Sequence, residues 1–206
     1  MSLKISKKKF IYLISPNNIY PKFYKDLRSV LNTGKVSFFQ LRLKKYSFKN
    51  KILLGRKINL ICKKYNVKFL VNDDPLLAKK INADGCHLGQ KDMLISEARK
   101  IIGNKIIGIT CHNSVKLAKA AIKKKASYLA FGAFFPTKTK KARFKATTNI
   151  LNKTRRFTKT PIIAIGGINN NNYKKLLLNN ANLLAISSYV WNNKKFEPLE
   201  AIKNLK

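Results

Sequence analysis

Short apolar runs recur along this chain, and longer amphipathic stretches separate them. Eight runs stand out, at residues 9–15, 36–42, 68–72, 84–88, 106–110, 127–132, 161–166 and 183–187. Each is five to seven residues long, and together they are rich in Ile, Val, Leu, Phe and Tyr. Apolarity that is continuous rather than alternating predicts strands buried on both faces. Between them, residues 114–125 put Val115, Leu117, Ala118, Ala121 and Ile122 on one side and lysines on the rest, the pattern of an amphipathic helix. Residues 48–65, 94–102 and 170–178 read the same way. Strict strand–helix alternation implies a parallel sheet. Eight such units in 206 residues imply a compact (β/α)8 TIM barrel, an α/β fold near its lower size limit. A doubly wound open sheet is the competing architecture. No linker interrupts the pattern, so a single domain is expected over 1–206, with 191–206 as a C-terminal helix or tail. The asparagine run at 169–172 is expected to cap a helix.

Charge changes this picture less than its size suggests. Lys and Arg number 44 against 8 acids, a formal net charge of +36. A nucleic-acid surface gathers its cations into a patch, stripe or tail. Here lysine is spread along the whole chain beside abundant Asn and Ile, as A+T-rich codons would dictate. Neither a helix-turn-helix, an RNP motif nor zinc-finger spacing is visible. A basic nucleic-acid-binding protein is therefore the least favoured function, with no specific nucleic acid expected as partner. No stretch approaches the ~18 apolar residues of a membrane span, so no membrane partner is expected. The apolar run at 10–14 is too short for a signal peptide. Cys62, Cys86 and Cys111 form no CxxC pair and suit a reducing, cytoplasmic location. A homo-oligomer is compatible with all of this.

In such a barrel the active site lies at the carboxyl ends of the strands. Those ends are polar: Ser15; Gln40, Arg42 and Lys44; Asn72 and Asp73; His87, Gln90 and Asp92; Thr110 and His112; Thr137, Thr139 and Lys140; Gly166 and Gly167; Ser187 and Ser188. Five of the eight acids fall between 73 and 97, and Asp73 and Asp92 end consecutive strand units. Neighbouring strands lie ~4.8 Å apart, so both carboxylates can reach one cation. Oxygen donors without a Cys/His set favour Mg2+, which commonly takes one or two carboxylates plus substrate phosphates. The competing role for Asp73 is a helix cap, and for Asp74, directly before Pro75, capping is the better reading. Gly166-Gly167 after the seventh strand, with Ile186-Ser187-Ser188 ending the eighth, stand where many barrels bind phosphate through backbone N–H groups. Gln40, Arg42 and Lys44 alternate along a strand end, and with Lys140 make a second anion site sized for a diphosphate. A structural salt bridge is the competing role for Arg42.

The segments FFQLRLK (38–44), VNDD (71–74), DGCHLGQKD (84–92), GITCHN (108–113), FGAFFPTKTKK (131–141), AIGGI (164–168) and AISS (185–188) together resemble the thiamine-phosphate synthase family, in order and spacing, over about residues 10–190. That resemblance implies a transferase that joins two small phosphorylated substrates, a pyrimidine diphosphate and a thiazole phosphate. It implies that Gln40, Arg42, Lys44, Asn72 and Lys140 hold the pyrimidine diphosphate, and that Asp73 and Asp92 ligate Mg2+ on it. Thr110, where relatives usually have Ser, would donate to the leaving group. Thr137 and Thr139 would contact the thiazole substrate, whose phosphate would sit on Gly167, Ile186 and Ser187. Arg42, Lys44, Thr110 and Lys140 are thus the expected catalytic groups. His87 and His112 need not be catalytic, and His87 is expected to be mainly structural. Lys45 follows Lys44 where relatives often carry an acid, and residues 142–149 lack the acids and glycine usual there. The alternatives are a thiazole tautomerase, which uses a histidine near position 112 and lacks the carboxylate pair, and a non-catalytic barrel that binds thiamine phosphate.

Overall fold

A computed structural model describes residues 8–137 and 144–206. Strand and helix alternate as β1 (Ile11–Ile14), α1 (Phe23–Leu31), β2 (Val36–Leu41), α2 (Phe48–Lys64), β3 (Lys68–Asn72), α3 (Pro75–Lys80), β4 (Gly85–Leu88) and α4 (Ile95–Ile102). The second half runs β5 (Ile106–His112), α5 (Val115–Lys123), β6 (Tyr128–Gly132), α6 (Thr148–Arg155), β7 (Ile162–Ile165), α7 (Tyr173–Leu178), β8 (Leu183–Ile186), α8 (Ser188–Trp191) and α9 (Pro198–Lys203). The strands pair in parallel in chain order, and β8 returns to β1 through Ile11↔Leu184, Tyr12↔Ala185 and Leu13↔Ile186. That last pairing excludes the open doubly wound sheet, which has two free edges. Trp191 locks the seam by donating its indole N–H to the Ile14 carbonyl, 2.7 Å away.

Burial on both strand faces arises because alternate residues serve two cores. Tyr12, Ile14, Phe38, Leu70, Tyr128, Ala130, Ile163, Leu183 and Ala185 fill the barrel interior. Their neighbours, such as Ile11, Leu13, Phe39, Phe69 and Leu129, pack outward against the helices. By the same parity Gln40, Asn72, His87 and Thr110 belong to the inward set, one layer nearer the carboxyl rim than the apolar plug. The sequence pattern that makes the barrel therefore also delivers polar groups to its mouth.

Local chemistry sets the helix starts. Ser47 and Ser114 cap α2 and α5, accepting from the N–H groups of Asn50 and Leu117. Asp74 caps α3 by accepting from Leu77 N–H at 2.9 Å, with Pro75 in the first turn. Asp74 is thereby committed to the helix. The asparagine run behaves differently from expectation. α7 starts only at Tyr173, and no side chain caps it. Asn172 Oδ1 instead accepts from Asn169 N–H, and Asn169 Oδ1 from Asn171 N–H. Asparagine side chains serve loop N–H groups as readily as helical ones, and here the loop takes both. β4 starts at Gly85 rather than residue 84, because Asp84 turns its carboxylate to Lys68 Nζ and Phe69 N–H. β5 runs on to His112 through a register irregularity against β6.

Candidate active site

The ends of β2, β3 and β4 bring most of the charged candidates together. Gln40 is buried and donates from Nε2 to Asn72 Oδ1 at 3.1 Å, so each amide orients the other. Just past β3, Asp73 takes a left-handed backbone with φ of 65°, and its N–H bonds the His87 carbonyl at 2.8 Å. That turn carries the Asp73 carboxylate across β4 instead of into α3. Its Oδ2 lies 3.2 Å from Lys44 Nζ. Asp92 bends back over β4, accepting from Gly89 N–H at 2.6 Å. Partial burial raises the Asp92 carboxyl above the ordinary carboxylate range, and the hydrogen bond and charge of Asp73 raise it further; the Gly89 N–H and Lys44 pull the other way. The two carboxylates are thus held against each other. The helix-cap alternative for Asp73 fails, since Asp74 does that work.

This donor set fits a hard divalent cation. Two oxygen-bearing groups crowd each other, one of them retaining its proton more readily than a free aspartate, and a cation relieves that repulsion. Among the described residues no group of three or more His, Cys, Asp or Glu gathers into a protein-only metal cage. A pair of carboxylates suits Mg2+ that completes its octahedron with water and phosphate oxygens.

The QxRxK alternation does not persist beyond the strand. β2 ends at Leu41, so Arg42 and Lys44 are no longer bound to one face. Lys44 goes to the β3 side, while Arg42 Nη1 reaches Asn17 Oδ1 at 3.3 Å on the β1 side. Ser15 fixes this fork, its hydroxyl accepting from Arg42 N–H at 2.9 Å. None of the ion pairs among the described residues involves Arg42, which removes the structural salt bridge as its role. A cavity of about 290 Å3 opens beside Lys44, Lys51, Asn72, Asp73 and Asp74. Lys51 and Asn17 escape a reading of motifs. Only their positions, in the first turn of α2 and just after β1, hint at them.

The opposite rim is built from backbone. Gly166 and Gly167 have φ of 106° and 63°, a region that favours glycine. A Cβ on Gly167 would lie 2.3 Å from the Pro136 carbonyl oxygen, because the β6–α6 loop crosses there. Phe134 and Phe135 N–H bond the carbonyls of Ile165 and Gly166. Gly167, Ser187, Ser188, Thr137, Asn17 and Lys194 line a second cavity of about 520 Å3. Ile186 ends β8, and Ser187 leads into α8, whose first N–H groups have no intrahelical acceptor. Asn17 therefore touches Arg42 on one side and this cavity on the other. Thr139 and Lys140 lie outside the described residues.

At the base of the mouth, His87 Nε2 is 2.8 Å from Thr110 Oγ1, and His87 Nδ1 is 2.9 Å from the Tyr128 hydroxyl. His112, the residue a tautomerase reading would need, stacks on Phe144 with ring centroids 4.2 Å apart. The three cysteines are buried and unpaired. No described helix is long and apolar enough to cross a membrane.

Comparisons with known proteins agree with this geometry. Residues 11–190 match the family model for thiamine monophosphate synthase. The chain is similar to a thiamine-phosphate synthase of Pelagibacter ubique (strain HTCC1062), 64% identical over 200 residues and 97% of each chain. It is 37% identical to that of Rhodospirillum centenum over 89% of each chain. Among solved structures, thiamine phosphate pyrophosphorylase from Pyrococcus furiosus superposes with a TM-score of 0.85 at 30% identity, covering 97% of this chain and 94% of that one.

Proposed function

Since the chain belongs to the thiamine monophosphate synthase family, we propose that its barrel mouth holds a pyrimidine diphosphate on the β2–β4 rim and a thiazole phosphate on the β7–β8 rim, and joins them. It is a transferase of the thiamine-phosphate synthase type. The observation that carries the assignment of rims is the contact between Asp73 and Asp92 beside Lys44.

The first substrate is 4-amino-2-methyl-5-hydroxymethylpyrimidine diphosphate, the second hydroxyethylthiazole phosphate. Mg2+ held by Asp73 and Asp92 would neutralise charge on the diphosphate. Arg42 and Lys44 contact the departing oxygens from the protein side, a role the family resemblance extends to Lys140, and such preorganised charge is usually the largest catalytic contribution. Gln40 and Asn72, already bonded to each other, orient the pyrimidine end. Thr110 donates its hydroxyl to the leaving group. The aminopyrimidine ring supplies electrons to its exocyclic carbon as the C–O bond breaks, so dissociation precedes attack. Gly167, Ile186 and Ser187 seat the thiazole phosphate through backbone N–H groups, with Thr137 beside the ring, a role the family resemblance extends to Thr139. The thiazole nitrogen, which carries a free lone pair, then closes on that carbon. No general base is required. The barrel's contribution is to aim two charged substrates from opposite rims at one point.

The test is a diphosphate-release assay on purified protein with each substrate omitted in turn. Thiamine phosphate is expected to form one-for-one with diphosphate when Mg2+ and both substrates are present. Binding of thiamine phosphate without turnover would instead mark a non-catalytic barrel.

A further inference from the structure

Three inward-facing residues are in register across the middle of the barrel: His87 on β4, Gly108 on β5 and Tyr128 on β6. Normally the middle side chain would separate the outer two. Here it is absent, and a Cβ on Gly108 would lie 1.8 Å from Tyr128 Cζ. Through that gap the imidazole and the phenol stack, ring centroids 5.6 Å apart and 12° from parallel. A continuous chain of hydrogen bonds results. Tyr12 and Tyr128 hydroxyls lie 2.8 Å apart, Tyr128 lies 2.9 Å from His87 Nδ1, and His87 Nε2 lies 2.8 Å from Thr110 Oγ1.

The chain has a direction. A phenol has one proton to donate, and a neutral imidazole has one donor and one acceptor nitrogen. If Nδ1 carried the proton, Tyr128 would have to donate to Tyr12. The Tyr12 proton would then have no acceptor, since among the described residues its only hydrogen-bond partner is Tyr128 and its surroundings are apolar. A buried donor left unpaired bears its full desolvation cost. Run the other way, every proton is used. Tyr12 donates to Tyr128, Tyr128 to Nδ1, and Nε2–H to the Thr110 oxygen. Burial keeps both phenols protonated by pushing their pKa values well above the usual range.

The consequence falls on Thr110. Its oxygen is occupied as an acceptor from His87, so its own proton is directed away from the imidazole and is left for another acceptor. Gln90 Nε2 donates to the Thr110 carbonyl and pins the backbone at the same residue. We propose that His87 is a positioning residue for the transfer reaction, fixed as its Nε2–H tautomer by Tyr128 and Tyr12, so that the Thr110 hydroxyl is always presented as a donor to the departing diphosphate. This rests on the reading that Thr110 faces that leaving group. No proton is transferred along the chain; its role is orientation.

The experiment has two arms. In the first, the intact protein is prepared with isotope-labelled histidine, and ring-nitrogen shifts are read by NMR near neutral pH. The chain has two histidines, and His112→Gln assigns the spectrum. The expected result is an unprotonated Nδ1 and a protonated Nε2 for His87 without any substrate present, and loss of that bias in Tyr128→Phe. A protonated Nδ1 in the unsubstituted protein overturns the proposal and leaves the family assignment untouched. In the second arm, Thr110→Val is expected to lower kcat on the order of 10²-fold, the scale of one lost donor to a developing charge. Tyr128→Phe is expected to lower it on the order of 10-fold through misorientation, with KM unchanged. The double variant should be no slower than Thr110→Val alone. Multiplying losses would show that Tyr128 acts elsewhere. An unchanged rate in Thr110→Val would remove the premise about the leaving group, whatever the tautomer.

Discussion

The two rims of the barrel mouth, each proposed to hold an anion, are built from different materials. The β2–β4 rim uses charged side chains: Lys44 against Asp73, Asp73 against Asp92, Arg42 held out by Asn17. The β7–β8 rim uses backbone, with two positive-φ glycines and the entrance of α8 around a larger cavity. The difference matches the ligands proposed for them. A diphosphate that must depart gains charge as it leaves, and movable counter-charge is needed most at that point. A phosphate that only anchors its substrate keeps the same charge throughout the reaction, so fixed N–H groups can hold it without reorganising, with Lys194 in the lining of the cavity.

That contrast can be broken experimentally. The largest effect is expected from Asp92→Asn, which should lower Mg2+-dependent kcat/KM by at least ~10²-fold, equivalent to about 2.7 kcal/mol. An unaffected rate would show that the carboxylate pair is not the metal site. Because its pKa is raised, Asp92 takes up a proton at higher pH than an ordinary aspartate, and that proton competes with the ion. The acid limb of the pH–rate profile should therefore move to lower pH as Mg2+ is increased; a limb indifferent to Mg2+ would contradict this.

A smaller and more selective effect is expected from Gly167→Ala. The φ of 63° and the 2.3 Å approach to Pro136 force the loop to shift. KM for the thiazole phosphate should rise on the order of 10-fold, the scale of one lost anion contact. Affinity for the pyrimidine diphosphate should stay the same. Equal losses for both substrates would erase the division between rims. The smallest effect concerns stability. Without metal, the crowded Asp92 charge opposes folding at neutral pH, and its cost disappears as pH falls through the raised folded pKa. Asp92→Asn should thus stabilise the metal-free protein slightly, by about 0.5 kcal/mol after discounting for solvent screening, or about 1–2 °C in Tm for a chain of this size. A lower Tm would mean that the bond from Gly89 outweighs the repulsion.

Much of this is legible in the sequence, for physical reasons. Strands buried on both faces leave continuous apolar runs, so all eight lie within two residues of the ends the pattern predicts. The carboxylate pair is legible because acids are scarce in this chain, and two of them stand at neighbouring strand ends. The competing roles for Asp73 and Arg42 are excluded only by the three-dimensional arrangement. What stays hidden depends on register. Nothing local marks Gly108 as the gap that lets His87 meet Tyr128, since the meeting depends on which residues of three separate strands fall side by side. Asn17 and Lys194 are hidden in loops for the same reason. The asparagine run points the wrong way because Asn satisfies a loop as well as a helix end.

The most direct test of the shared-ion reading is binding of Mn2+, a paramagnetic substitute for Mg2+, to the protein with the pyrimidine diphosphate present. One ion should bind per chain, and Asp73→Asn and Asp92→Asn should each weaken it at least ~10-fold, with the double substitution little worse than either. Full-affinity binding in either single variant would contradict the central claim that both carboxylates grip one ion.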